Sequence, residues 1–256
     1  MDRTLHSKTT CVLACGALAH EITAVIELNG LDHIDLTCLP AMLHNAPDKI
    51  PGRVEESLAD LTTRYDTVFV AYADCGTGGM LDKVLDKYGV QRLDGAHCYA
   101  FFEGVDAFMA KGDDDMDAFY LTDFLARQFK SIIAEPLGLI AHPELKEMYF
   151  AHYTRVIYQV QKPDEELLRR AQEAADFLGL KLEVRQTGYG DLEPALVALP
   201  RPRTKRRNLD QLSPWRCQCA RPSRQINATA TRMTPRPSAL APRYKVIALA
   251  ITAEMT

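Results

Sequence analysis

The stretch Asp66-Thr-Val-Phe-Val-Ala-Tyr-Ala-Asp-Cys-Gly-Thr-Gly-Gly79 constrains this chain more than any other. Thr67 to Ala73 is short, apolar and rich in β-branched and aromatic residues, as a buried parallel strand requires. It runs directly into Asp74, Cys75, Gly76, Thr77, Gly78 and Gly79. The next segment carries Met80, Leu81, Val84, Leu85 and Tyr88 at helical spacing and stops at Gly89, where a helix C-terminus favours glycine. Strand, glycine-rich turn and helix together place backbone N–H groups at the carboxyl edge of a sheet. A cysteine in such a turn is exposed to the positive end of a helix, which favours thiolate. Neither Gly-Lys-Ser/Thr nor G-x-G-x-x-G is present, so the turn is not a standard nucleotide motif.

The flanking sequence repeats this alternation. Strands are predicted at Cys11 to Leu18 (ending near Cys15-Gly16), at His33 to Leu39, and at Val90 to Leu93 running on toward Ala96. Helices are predicted from Ala19 to Leu28 and from Pro51 to Tyr65. Strands alternating with helices give an α/β fold with a mostly parallel, doubly wound sheet. From about Gly104 to Gly179 the pattern turns helical: Asp117 to Ile133, Pro143 to Ile157, and Pro163 to Phe177. This reads as a helical region inserted in or appended to the sheet. A last strand is predicted over Lys181 to Gln186, and a short helix runs toward Leu199.

Charge separates two regions. Residues 201–256 hold 12 Lys and Arg against 2 Asp and Glu, a balance of +10, which leaves −14 for residues 1–200. The tail is rich in Pro and Arg and lacks periodicity, a composition of the disordered class. An altered coding end and a basic interaction tail both account for it. An acidic body of 1–200 argues against specific nucleic-acid binding. No apolar run reaches the roughly 18 residues of a membrane span. With no signal-type apolar core near the N-terminus, a cytoplasmic setting is expected, and the seven cysteines then read as thiols or ligands.

Four of those cysteines share one position. Cys15, Cys38, Cys75 and Cys98 each sit at the predicted carboxyl end of a successive strand, the edge that borders the ligand crevice of open α/β sheets. Thiolates gathered there suit zinc or an iron–sulfur cluster, with His44 or His97 as substitute ligands. Packing as small buried hydrophobes is the simpler alternative. Cys217 and Cys219 lie in the tail and are set aside. Gly76, Thr77, Gly78 and Gly79 can cradle a small anion or serve only as a tight turn. Asp74 can accept a proton or cap the turn. His20 and Glu21 are expected at the surface, His152 in the core, and Asp123 in an ion pair with Arg127 four residues on.

Cys15-Gly16-Ala17-Leu18, Leu43-His44-Asn45, Asp74-Cys75-Gly76-Thr77-Gly78-Gly79, His97-Cys98-Tyr99, Phe119 to Phe124 and Thr187-Gly188-Tyr189-Gly190 together resemble domain of unknown function 1638, over about Cys11 to Leu199. Members of that family often occur beside corrinoid-dependent methyltransferases for methylated amines and betaines. The resemblance therefore implies one-carbon or methyl transfer, with a corrinoid protein or methyltransferase as partner and corrinoid reached through it. Cys15, His44, Cys75 and Cys98 match its motif positions, whereas Cys38 is less characteristic, which favours a Cys₃His ligand set. Three functions compete: a metal- or cluster-binding protein of methyl transfer, a non-catalytic accessory protein with structural cysteines, and a metal-free enzyme using the Cys75 thiolate.

Overall fold

Strand β1 (Thr10–Cys15) is buried along its whole length and leads through a 3-10 turn, Gly16–Leu18, into helix α1 (Ala19–Leu28). There follow β2 (Ile34–Leu39), α2 (Ile50–Arg64), β3 (Thr67–Ala71), α3 (Met80–Tyr88) and the short β4 (Gln91–Arg92). This is a computed structural model; it describes residues 10–201, which belong to one compact unit. Of the expected basic tail, 201–256, all but Arg201 lies outside them. The four strands form one parallel sheet in the order β2-β1-β3-β4. Leaving β1 first to one side and then to the other puts the topological switch point between β1 and β3, where the carboxyl edge opens a crevice. Cys15 ends β1, and Asp74 and Cys75 follow β3, so the sequence places its most reactive residues at that opening.

Burial explains why these segments hold. Val54, Leu58 and Leu61 of α2, Ile22 and Val25 of α1, and Leu81 and Leu85 of α3 pack in one core with Val12, Leu13, Phe69 and Val70 of the strands. Helix α3 ends on Gly89 at φ 63°, the left-handed closure that glycine allows at least cost.

The predicted helical region is a second α/β layer, and this corrects the reading of 104–179. After α4 (Ala100–Glu103) and α5 (Val105–Ala110) the chain forms β5 (Ala118–Leu121), α6 (Asp123–Phe129), a π-helical turn at Lys130–Ala134, α7 (Leu145–Phe150), β6 (Arg155–Val160), α8 (Glu165–Leu178), β7 (Lys181–Gln186) and α9 (Leu192–Val197). β5, β6 and β7 pair in parallel in that order. Ala118 to Leu121 and Val156 to Val160 are buried on both faces, so neither run shows the period-two alternation that marks a half-exposed strand. By sequence alone each merges with the helix beside it. His152, expected in the core, is exposed.

Candidate thiol site at the switch point

Cys75 sits in a left-handed backbone conformation, φ 49°, the one such non-glycine among the described residues. That conformation costs a residue with a Cβ free energy, and it persists only where surrounding structure fixes it. Two hydrogen bonds to the segment after β4 fix it here: Asp74 N donates to Gly95 O at 2.9 Å and Cys75 N to Ala96 O at 2.8 Å. The same segment delivers Cys98. Its Sγ lies 3.2 Å from Cys75 Sγ, inside ordinary van der Waals separation. Both side chains are partly open to solvent.

The two thiols shift each other's pKa in opposite directions. Hydrogen bonding from Cys98 lowers the Cys75 pKa, outweighing burial, and the backbone N–H groups of Cys98 and Ala73 assist. Cys98 is raised well above its ordinary value by that bond to Cys75 and by burial. The activating group is thus a second thiol rather than the end of α3.

Asp74 occupies the glycine turn from inside. Its Oδ1 accepts from Thr77 Oγ1 at 2.7 Å and Gly79 N at 2.8 Å, and its Oδ2 accepts from Gly78 N at 3.1 Å. Burial acts to raise its pKa, but these bonds hold it below the usual carboxylate range. The N–H groups of Gly78 and Gly79 expected to meet an external anion already hold this carboxylate, so a ligand there would have to displace it. Asp74→Ala is expected to cost about 2 kcal/mol, from the donors left without a partner. Thermal unfolding checks this, and an unchanged midpoint would show that water replaces the carboxylate freely.

Tyr72 carries no signal in the sequence, where it reads as one more strand residue. It is 1% exposed, and its hydroxyl makes no hydrogen bond of ordinary geometry among the described residues. Cys15, Cys98 and Cys75 all lie close enough to interact with it and, after burial, raise its pKa. Cys15 itself is pushed up to about 12 by burial, so it is a neutral thiol. The structure therefore gathers Cys15, Cys75 and Cys98 around one buried phenol.

The other expected ligands stand further out. Cys38 is exposed at the end of β2. His44 lies on the 3-10 turn Ala41–Asn45; its side chain is open to solvent, yet the protein around it desolvates the ring and lowers its pKa. His97 is lowered to about 4 by burial and by His44 nearby, with Asp74 opposing. Its ring stacks on Tyr99 at 4.9 Å, and Tyr99 stacks on Tyr120 at 4.7 Å. Among the described residues no group of three or more His, Cys, Asp or Glu is placed to hold a metal ion.

A second cluster lies between α1 and α6. Glu21, expected at the surface, is 3% exposed. Leu18, Glu21, Ile22 and Val25 share one helical face, a spacing that carried the signal. Arg127 reaches Glu21 with Nη1 4.0 Å from Oε1. The expected partner of Arg127, Asp123, is engaged elsewhere: Oδ1 accepts from the Tyr158 hydroxyl at 2.8 Å and Gln161 N at 3.3 Å, and Oδ2 from Lys162 N at 3.0 Å.

A family model described as "Protein of unknown function (DUF1638)" matches residues 38–196. The matched span contains His44, Asp74, Cys75 and Cys98 but not Cys15. No curated protein and no solved structure matches the chain.

Proposed function

The chain belongs to the DUF1638 family, and from that membership together with the thiol geometry we propose a thiolate group-transfer protein in which Cys75 is the nucleophile. The observation that carries this is the Cys75–Cys98 pair, 3.2 Å apart on a left-handed turn. Placing a nucleophile on a strained turn at the end of a strand presents its reacting atom at the carboxyl edge of the sheet; hydrolases use the same device for serine, although there the helix follows at once. In the proposed step the Cys75 thiolate attacks an electrophilic carbon and forms a C–S bond. The leaving group departs with the electron pair and takes the Cys98 proton. Asp74 holds the turn and accepts no proton. A methyl group carried on an amine is the cargo suggested by the family's frequent setting beside corrinoid-dependent methyltransferases, with a corrinoid protein as the acceptor partner.

The convergence of Cys15 on the same phenol favours a second reading, a zinc or iron–sulfur site. Closed zinc sites take four ligands, so Cys15 and a histidine such as His44 would have to move in on the pair. The test combines two measurements on full-length protein purified without oxygen. Iodoacetamide at pH 6.5 followed by peptide mapping is expected to label Cys75 ahead of Cys11, Cys15 and the exposed Cys38. Labelling of Cys75 no faster than Cys38 would sink the nucleophile. Elemental analysis giving near one zinc, or iron with acid-labile sulfide, per chain would replace it with the metal reading.

A further inference from the structure

Glu21 and Arg127 form a pair whose hydrogen-bonding capacity is left unused. Glu21 Oε2 and Arg127 Nη1 are both buried and make no hydrogen bond among the described residues. Their closest approach of 4.0 Å is an ion-pair distance but too long for a hydrogen bond. Leaving a buried guanidinium N–H and a buried carboxyl oxygen unpaired costs free energy that folded proteins ordinarily avoid.

The location is equally specific. Glu21 is in the first turn of α1, immediately beyond β1, and Arg127 is one turn into α6, beyond β5. Asn45, in the segment after β2, donates from Nδ2 to Ile132 O at 3.1 Å, in the π-helical turn that continues α6, so a loop at the carboxyl edge of the first sheet packs on the element that carries Arg127. Such edges are where open α/β sheets bind ligands. The stretch Cys15 to Glu21 connects this pair to the thiol site along one chain segment.

We propose that Glu21 and Arg127 are a subsite for the carboxylate of a small organic acid. Arg127 supplies a permanent cation with an N–H to spare, suited to a carboxylate oxygen. Burial raises the Glu21 pKa to about 7, against smaller opposition from its own backbone N–H and from Arg127, with Asp123 adding to the rise. Below that pH Glu21 is a neutral O–H donor to the second oxygen of the ligand. The charged and titratable groups facing Glu21 are Arg127 and Asp123 on α6 and Tyr189 from the turn after β7. Arg127 favours the anion. The Asp123 carboxylate is occupied by three donors, and Tyr189, raised by burial, is neutral.

This subsite deepens the thiolate reading by giving its substrate a carboxylate, yet its test does not need the thiol. Acetate, glycolate and succinate are titrated into the full chain and into its Cys75→Ser variant by calorimetry at pH 6 and pH 8, with methylammonium and inorganic phosphate as controls. At least one carboxylate is expected to bind both proteins, with affinity falling roughly tenfold from pH 6 to pH 8 as Glu21 ionises. Arg127→Gln should abolish binding. Glu21→Gln should bind at pH 6 and lose the pH dependence. If Arg127→Gln fails to fold, Arg127→Lys keeps the charge without the fork and should weaken binding several-fold. Carboxylate binding absent at both pH values, or unmoved by these substitutions, would overturn the subsite and leave a bridging water as the partner of the pair. Fast alkylation of Cys75 with no carboxylate binding removes the subsite alone; the reverse removes the nucleophile alone.

Discussion

Gly190→Ala is expected to destabilise the protein by about 3 kcal/mol or more. A Cβ at Gly190 would stand 2.1 Å from Phe101 O and 2.4 Å from Phe102 O, and the residue has φ 48°. Backbone carbonyls cannot rotate aside as a long side chain can, so the turn or α4 must shift. That turn returns the chain from the second sheet to the first: Asp191 N donates to Phe101 O at 2.8 Å, and Asp191 Oδ2 accepts from Val105 N at 2.7 Å. Leu192 and Leu196 then enter the core of the first sheet. A loss of this size lowers the unfolding midpoint by roughly 6–12 °C in a protein of this length. Gly188→Ala is the control. It has φ 61° but open space around the added carbon, so it pays only the left-handed strain, about 1–2 kcal/mol. Equal midpoints for the two variants would show that α4 yields to the new carbon. Because Phe101 N donates to Cys98 O at 3.2 Å, a shift of α4 also disturbs the thiol pair, and Cys75 labelling should slow in Gly190→Ala more than in Gly188→Ala.

What the sequence revealed and what it hid have physical causes. β1 and β3 were legible because glycines and a change of period bound them, and the convergence of Cys15, Cys75 and Cys98 follows from parallel strands sharing an edge. β5 and β6 were not, because strands buried on both faces are apolar throughout and lie beside helices that are equally apolar. The N–H groups of Gly78 and Gly79 do converge, but on a carboxylate of the chain itself. Sequence spacing alone does not show that the Asp74 carboxylate, five residues before Gly79, turns onto its N–H. The sequence points to the helix that follows Cys75 as the group acting on it, whereas the contacting thiol, Cys98, comes from the far side of β4, a pairing that sequence spacing does not encode. Arg127 was assigned to Asp123 by the four-residue rule; Tyr158, Gln161 and Lys162, more than thirty residues on, compete for that carboxylate and win it.

Glu21→Gln is expected to remove a pH dependence of stability that the native chain carries. The folded pKa of Glu21 is raised from its ordinary 4.5 to about 7 by burial. Between those values the folded state binds more protons than the unfolded state, so stability falls as pH rises. The contribution is fully present below about pH 4.5 and is lost as pH rises through 7. A rise from 4.5 to about 7 corresponds to about 3 kcal/mol. Glu21 is 3% exposed, so solvent screening reduces this little. Arg127 limits the loss by stabilising the ionised form, but at 4.0 Å with no hydrogen bond it cannot cancel the desolvation. Urea unfolding of the native chain and of Glu21→Gln from pH 5 to pH 8 measures the effect. The difference in stability between them should shift in favour of the variant by about 2–3 kcal/mol over that range. Comparing slopes rather than single values removes the constant cost of pairing Arg127 with an amide. Parallel curves would mean that Glu21 ionises in the folded state at its ordinary pH. The proton that the carboxylate subsite uses below pH 7 would then be absent. Carboxylate binding would in that case have to rest on Arg127 alone and show no fall from pH 6 to pH 8.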